Sequence, residues 1–183
     1  IDTILEQTEK LDFLIQSLVK LSRMESGIIA VHSEDTTIAQ MFASVQQQFN
    51  VKVREKNITL SLCDTDLHVL CDSKWTVEAL GNIVDNAIKY TACGGNVQIK
   101  VEQYSFFVKI DIIDDGIGIE KEEIPKIFGR FYRSLSVADQ PGVGIGLFLA
   151  REIIQAQKGY IKVTSEREKG STFSVFLPIA KKE

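Results

Sequence analysis

The sequence predicts an α+β fold, a two-layer sandwich with helices on one face of a mixed sheet, preceded by one long helix. Three observations predict it. Apolar residues recur at helical spacing in three segments after residue 35, and five short segments alternate as strands. Turn-forming residues join several of those strands as antiparallel hairpins, so helices and sheet form two packed layers. The first 26 residues carry a seven-residue apolar repeat instead.

In that opening segment Ile4, Leu11 and Leu18 mark one seam, and Leu14 and Leu21 the other. Ile15 and Val19 widen the stripe, Gln7 interrupts it, and Gly27 ends it as a residue just past a helix C-terminus. Such a stripe needs a partner, and a second protomer is expected. Residues 28–35 read as an extended linker, and residues 36–183 as the main domain. Ile38, Met41, Phe42, Val45 and Phe49 predict a helix over 36–49, and Ile58, Leu60 and Leu62 a strand over 58–62. A second helix is expected over 74–90. Cys93-Gly94-Gly95-Asn96 then turns into strands 97–102 and 106–113. After a loop-rich stretch come a helix over 144–157 and strands 160–164 and 172–177, joined near Lys169-Gly170.

Composition narrows the partners. The net charge of −4 is spread along the chain without a basic block, which argues against nucleic acid. No apolar run is long enough to span a bilayer and no signal-peptide pattern opens the chain, so any membrane contact is expected only through parent segments. Ile1 rather than Met stands first, and the chain reads as a fragment. Cys63, Cys71 and Cys93 have no metal-site or disulfide-framework spacing and read as reduced thiols.

Four segments can carry chemistry. In the 74–90 helix, Leu80, Ile83, Val84, Ala87 and Ile88 make one stripe, and Asn82, Asn86 and Lys89 fall opposite it. Two amides and an ammonium on one arc suit a metal–triphosphate, since amide oxygen ligates hard Mg²⁺ and Lys meets phosphate charge. Asp114-Asp115-Gly116-Ile117-Gly118-Ile119 follows an apolar strand. A carboxylate there can accept from the exocyclic amine of adenine, whereas guanine presents an acceptor. Continued pleating puts Asp114 on the side of Val108, Ile110 and Ile112, and Asp115 on the other. Gly142, Gly144 and Gly146 alternate ahead of Leu147 at a helix start, where backbone N–H groups favour phosphate. Their spacing is neither that of a Walker loop nor that of a Rossmann turn. Between them, Phe128-Gly129-Arg130-Phe131-Tyr132-Arg133 interleaves aromatics with arginines, as a hinge that packs while an Arg reaches phosphate.

In this order the segments resemble the N, G1, F and G2 boxes of sensor histidine kinases: N-x-x-x-N-A-x-K-Y at 82–90, D-x-G-x-G at 114–118, F-x-x-F-Y-R at 128–133 and G-x-G-x-G-L at 142–147. Gly170-Ser171-Thr172-Phe173 is similar to the family's last-strand motif, and Leu21 to Gly27 to the end of its dimerisation and phosphotransfer hairpin. The resemblance implies a Bergerat-type ATP-binding sandwich with ATP and Mg²⁺. It implies Asn86 as the metal ligand, Asn82 and Lys89 near the phosphates, Tyr90 along the nucleotide and Asp114 on the adenine amine. Gly116 and Gly118 would shape the floor, beside Ile119. Arg133, with Arg130, would serve the γ-phosphate, Phe131 would join the nucleotide site, residues 129–143 would be the lid, and Gly142, Gly144, Gly146 and Leu147 the phosphate turn. Thr172 would support the adenine site. Asn82, Lys89 and Arg133 are the residues it implies for catalysis.

ATP-hydrolysing relatives carry a Glu four residues before the metal Asn; Asn82 stands there, so binding without efficient hydrolysis is expected. No His followed by Glu or Asp and a nearby Pro occurs, since His32 precedes Ser33 and His68 precedes Val69. The acceptor histidine is therefore expected on a helix outside this chain, and a response-regulator receiver domain as the final acceptor. By resemblance the parent is a bacterial plasma-membrane sensor with this domain in the cytoplasm. The alternative is a degenerate kinase serving as an ATP-dependent interaction module, but the intact boxes favour the kinase.

Overall fold

A computed structural model describes residues 31–134, 137, 140 and 142–180, together with positions 8, 11, 12, 14–16, 18, 19 and 22, all of them helical. Seven strands and three helices follow that N-terminal stretch: β1 (Glu34–Thr37), α1 (Ile38–Glu55), β2 (Thr59–Leu62), β3 (His68–Cys71), α2 (Ser73–Tyr90), β4 (Asn96–Gln103), β5 (Phe107–Asp114), α3 (Gly146–Ala156), β6 (Tyr160–Glu166) and β7 (Gly170–Pro178). The main sheet has the order β2-β4-β5-β7-β6. Its β2–β4 pair is parallel and the rest antiparallel, the expected mixed sheet.

The five predicted strands are the five strands of this sheet. A separate ribbon, β1 paired antiparallel with β3, was not expected. β1 is the polar run Glu-Asp-Thr-Thr, with no alternation to read, and it takes up the end of the segment expected as linker. Helix α1 runs six residues past its expected end at 49, because Val53 adds one more apolar residue to the face carrying Phe49. It stops where Asn57 turns left-handed (φ 51°).

All three helices bury their apolar stripes on one face of the sheet. Leu80, Ile83 and Val84 of α2 and Ile153 and Ile154 of α3 meet Ile99, Ile110, Ile112, Val175 and Leu177. Polar anchors fix α2 at both ends. Asp72 caps its start by accepting from Trp75 N at 3.2 Å. Lys56 Nζ donates to the carbonyls of Ile88 (2.8 Å) and Lys89 (2.6 Å) at its end, where helix carbonyls lack partners. Buried Gln157, just after α3, accepts from Asp72 N (2.6 Å) and Thr76 Oγ1 (3.1 Å), tying α3 to α2. The face of α2 that carries Asn82, Asn86 and Lys89 thus holds a fixed place beside the end of β5.

On the N-terminal segment, Leu14 packs on the domain core while Leu11, Ile15, Leu18 and Val19 are exposed on helical spacing. The expected seam residues Ile4 and Leu21, the interruption at Gln7 and the stop at Gly27 lie outside the described residues. Among the described residues, no helix is long and apolar enough to cross a membrane.

Candidate nucleotide-binding site

The cavity lies between α2, the end of β5 and the segment leading into α3. Asn82, Asn86, Lys89 and Tyr90 line it from α2, and Asp114, Gly118 and Ile119 from the strand end and its loop. Arg133 and the run Gly142 to Leu147 close it. The polar arc read from helical periodicity is real: Leu80, Ile83, Val84, Ala87 and Ile88 are buried, and the two amides and the ammonium face the cavity.

Of the two carboxylates, Asp114 is the one turned inward, as the pleat predicts. Val108, Ile110, Ile112 and Asp114 share the buried side of β5, and Asp114 is 7% exposed. Its Oδ1 accepts from Gly116 N at 3.0 Å and Ser171 N at 3.3 Å. Both of the bonds it accepts among the described residues end on Oδ1, which leaves Oδ2 for a ligand. Burial raises its pKa from the ordinary 3.8 to about 6, against the two N–H donors that lower it, and neighbouring Asp115 adds to the rise. Asp115 points outward and accepts from Asn96 N and Nδ2, both at 2.8 Å, which holds its carboxyl below the usual range.

Glycines allow the close approaches that shape the walls. A Cβ on Gly118 (φ +68°) would lie 2.0 Å from the Glu166 carbonyl oxygen, and one on Gly170 (φ +90°) 1.9 Å from that of Asp114. The G1 loop and the β6–β7 turn therefore press backbone to backbone. At the other end, a Cβ on Gly142 would sit 2.8 Å from Lys89 Nζ, and one on Gly146 3.2 Å from Asn82 Oδ1. The glycine turn packs directly on the α2 arc. Lys89 Nζ also lies 4.8 Å from the Tyr90 ring centroid.

Residues 71–181 match the family of histidine kinase-, DNA gyrase B- and HSP90-like ATPases. The chain belongs to this family. It is 33% identical over 177 residues to the sensor histidine kinase WalK of Bacillus subtilis, covering 94% of this chain and 29% of WalK. It is 30% identical to the sensor protein kinase PmrB of Pseudomonas aeruginosa, covering 93% of this chain and 36% of PmrB. The chain thus spans about a third of these relatives. Among solved structures, the histidine kinase AdeS of Acinetobacter baumannii superposes with TM-score 0.76 at 25% identity, over 98% of this chain and 84% of that one. The mycobacterial sensor histidine kinase MprB gives 0.71 at 26%, over 80% of this chain and 97% of that one.

Within this ATPase fold, four expected site residues fall off the cavity wall. Thr172 lies on the outer face of β7, because Ser171, Phe173, Val175 and Leu177 take the inner one. Ser171 and Phe173 line the cavity instead. Strand parity carried that signal, since Ser171 is in step with the apolar residues that follow. Phe131 is 55% exposed; its positive φ of 60° turns the chain so that Tyr132 faces inward. Arg130 is also outside, its guanidinium 4.6 Å from the Phe148 ring centroid. Gly116 sits behind the wall, donating to Asp114. Arg133 does line the cavity, and its Nη2 donates to the carbonyls of Val137 (3.0 Å) and Gln140. Sequence reasoning missed Glu123, which accepts from Tyr132 Oη at 3.1 Å, and Asp85, whose carboxylate meets Lys52 Nζ at 2.5 Å on the rim. Neither residue carries a pattern of its own.

Proposed function

We propose that this domain binds magnesium-complexed ATP in the cavity and donates the γ-phosphate to a histidine on a helix outside this chain. A response-regulator aspartate is the final acceptor. The observation that carries the reading is the shared cavity: a buried carboxylate with one open oxygen at one end, and two amides, an ammonium and a glycine turn at the other.

Asp114 Oδ2 accepts the adenine amine, and Tyr90 and Ile119 flank the base. Lys89 and the backbone N–H groups around Gly142, Gly144 and Gly146 hold phosphate oxygens. Arg133 reaches the γ-phosphate by exchanging its carbonyl partners for phosphate. Asn86 offers an amide oxygen of the hard type that Mg²⁺ accepts. Among the described residues no cluster of three His, Cys, Asp or Glu could hold a metal. With Asn86 as the protein ligand, phosphates and water would supply the rest of the coordination. Bound Mg²⁺ supplies charge neutralisation at the triphosphate.

Asn82 has no proton-accepting role to offer water, and its Nδ2 donates to the Glu78 carbonyl at 3.1 Å. Hydrolysis is therefore slow, whereas a neutral imidazole needs no activation near pH 7. Catalysis rests on positioning and charge. The exposed stripe of Leu11, Ile15, Leu18 and Val19 supports pairing with a second protomer. The parent is a membrane sensor with this domain on the cytoplasmic side, a reading that rests on likeness to its relatives. Incubating the chain with a phosphoacceptor-helix polypeptide and radiolabelled Mg·ATP tests the proposal: label should move to histidine. Saturable ATP binding without transfer would mark an interaction module instead.

A further inference from the structure

Ser165, in β6, has no part in the motifs and does not line the cavity, yet three groups converge on its hydroxyl. Oγ lies 2.8 Å from Ile119 N, 2.9 Å from the Gly170 carbonyl oxygen and 3.0 Å from Ser171 Oγ. A serine hydroxyl has one proton and two lone pairs. The Gly170 carbonyl can only accept, so it takes the proton. The Ile119 N–H can only donate, so it takes one lone pair. The other lone pair is left for the Ser171 hydroxyl, which must then be the donor of that pair.

This fixes the polarity of the adenine end. Ser171 lines the cavity and its hydroxyl proton is committed to Ser165, so its Oγ turns lone pairs toward a ligand. Its N–H is already given to Asp114 Oδ1. The two side-chain oxygens at this end, Asp114 Oδ2 and Ser171 Oγ, are then both acceptors. A 6-amino group supplies two N–H donors to such a floor, whereas a 6-oxo group sets its own lone pairs against both. We propose that Ser165 is a specificity-determining positioning residue, which orients the Ser171 hydroxyl so that the pocket takes 6-aminopurine and rejects 6-oxopurine nucleotides. The proposal rests on the nucleotide reading above.

The test measures dissociation constants of the wild-type chain and its variants for ATP and for inosine triphosphate, which carries the 6-oxo group on the same ribose triphosphate. In Ser165→Ala the Ser171 proton is free to turn into the cavity and meet the 6-oxo oxygen. The preference for ATP over inosine triphosphate should fall about three- to tenfold, the worth of one hydrogen bond. Ser165→Thr keeps the hydroxyl in a position where a β-branched residue suits a strand, and should keep the wild-type preference. Ser165→Val has the same shape without the hydroxyl and should lose it. This Thr–Val pair reads the same quantity should the alanine variant not fold. In a Ser171→Ala background, Ser165→Ala should no longer change the preference.

Equal weakening of both nucleotides in Ser165→Ala and Ser165→Val would mean a merely structural contact and overturn the proposal. Loss of the preference in Ser165→Thr overturns it too. Absence of saturable ATP binding by the wild-type chain is a different result, which removes the nucleotide reading itself and this inference with it.

Discussion

Protonating Asp114 should release adenine, and the structure sets both the pH and the size of the effect. Its carboxyl titrates at about 6 in the ligand-free domain because burial disfavours the charge. Only the ionised form can accept from the amine through Oδ2 without presenting a proton of its own. The fraction of competent protein is then 1/(1 + 10^(6 − pH)), so affinity should drop about tenfold between pH 7 and pH 5. Calorimetric titration with ADP across this range measures it. The phosphates of the ligand titrate nearby, so the informative quantity is the difference between the wild type and Asp114→Asn. The variant should bind about 1–3 kcal/mol more weakly at pH 7, through loss of a charge-assisted acceptor. Its affinity should also lack the carboxylate part of the pH slope. Identical slopes in the two proteins would refute the reasoning, and a larger loss from Asp115→Asn would move the role to the neighbouring residue.

The same group carries a stability consequence of opposite sign. Its folded value of about 6 lies above the ordinary 3.8, so between these two the native state keeps a proton that the unfolded chain releases. This contribution is fully present below about 4 and is lost as pH rises through about 6, roughly 3 kcal/mol in all. Asp114→Asn should therefore raise the melting temperature of the ligand-free domain at pH 7 while weakening ATP. A variant that is both weaker-binding and less stable would show that the carboxylate is not strained by burial.

Other expectations test the remaining parts of the site. Asn86→Ala should abolish the magnesium dependence of ATP binding, read by titrating nucleotide with and without the ion; a persisting dependence assigns the metal elsewhere. Gly118→Ala places a methyl 2.0 Å from the Glu166 carbonyl at a left-handed φ, and should cost more than about 2 kcal/mol in urea unfolding. Gln157→Leu leaves Thr76 Oγ1 and Asp72 N without their acceptor. It should cost about 1–3 kcal/mol of stability, and ATP affinity in the folded protein should stay unchanged.

What the chain discloses about itself depends on how far apart the contacting residues lie. Strand parity is local, which is why Val108, Ile110 and Ile112 sufficed to turn Asp114 inward rather than Asp115. Helical periodicity is equally local, and it set Asn82, Asn86 and Lys89 against the buried stripe. Parity applied backwards from Phe173, Val175 and Leu177 would also have chosen Ser171 over Thr172; the family's motif pointed one residue too far. The β1–β3 ribbon stayed hidden because β1 has no apolar alternation and its partners lie far along the chain, from Thr37–His68 at one end of the pairing to Glu34–Cys71 at the other. Phe131 misled for a related reason, since its left-handed backbone reverses the face that an aromatic-rich run would present.

The Asp114 end of the cavity shows where such reading must stop. Gly118 and Gly170 are small because each faces another segment's carbonyl, and neither neighbour can be inferred from residues nearby in the chain. That clamp brings Ser165 beside Ile119, 46 residues away, and beside Ser171. The direction of a single hydroxyl proton then follows from counting donors and acceptors among two strands and a loop. A motif marks the residues that touch the ligand. The polarity of the surface they present is decided one layer behind, by groups such as Ser165 that any motif leaves out.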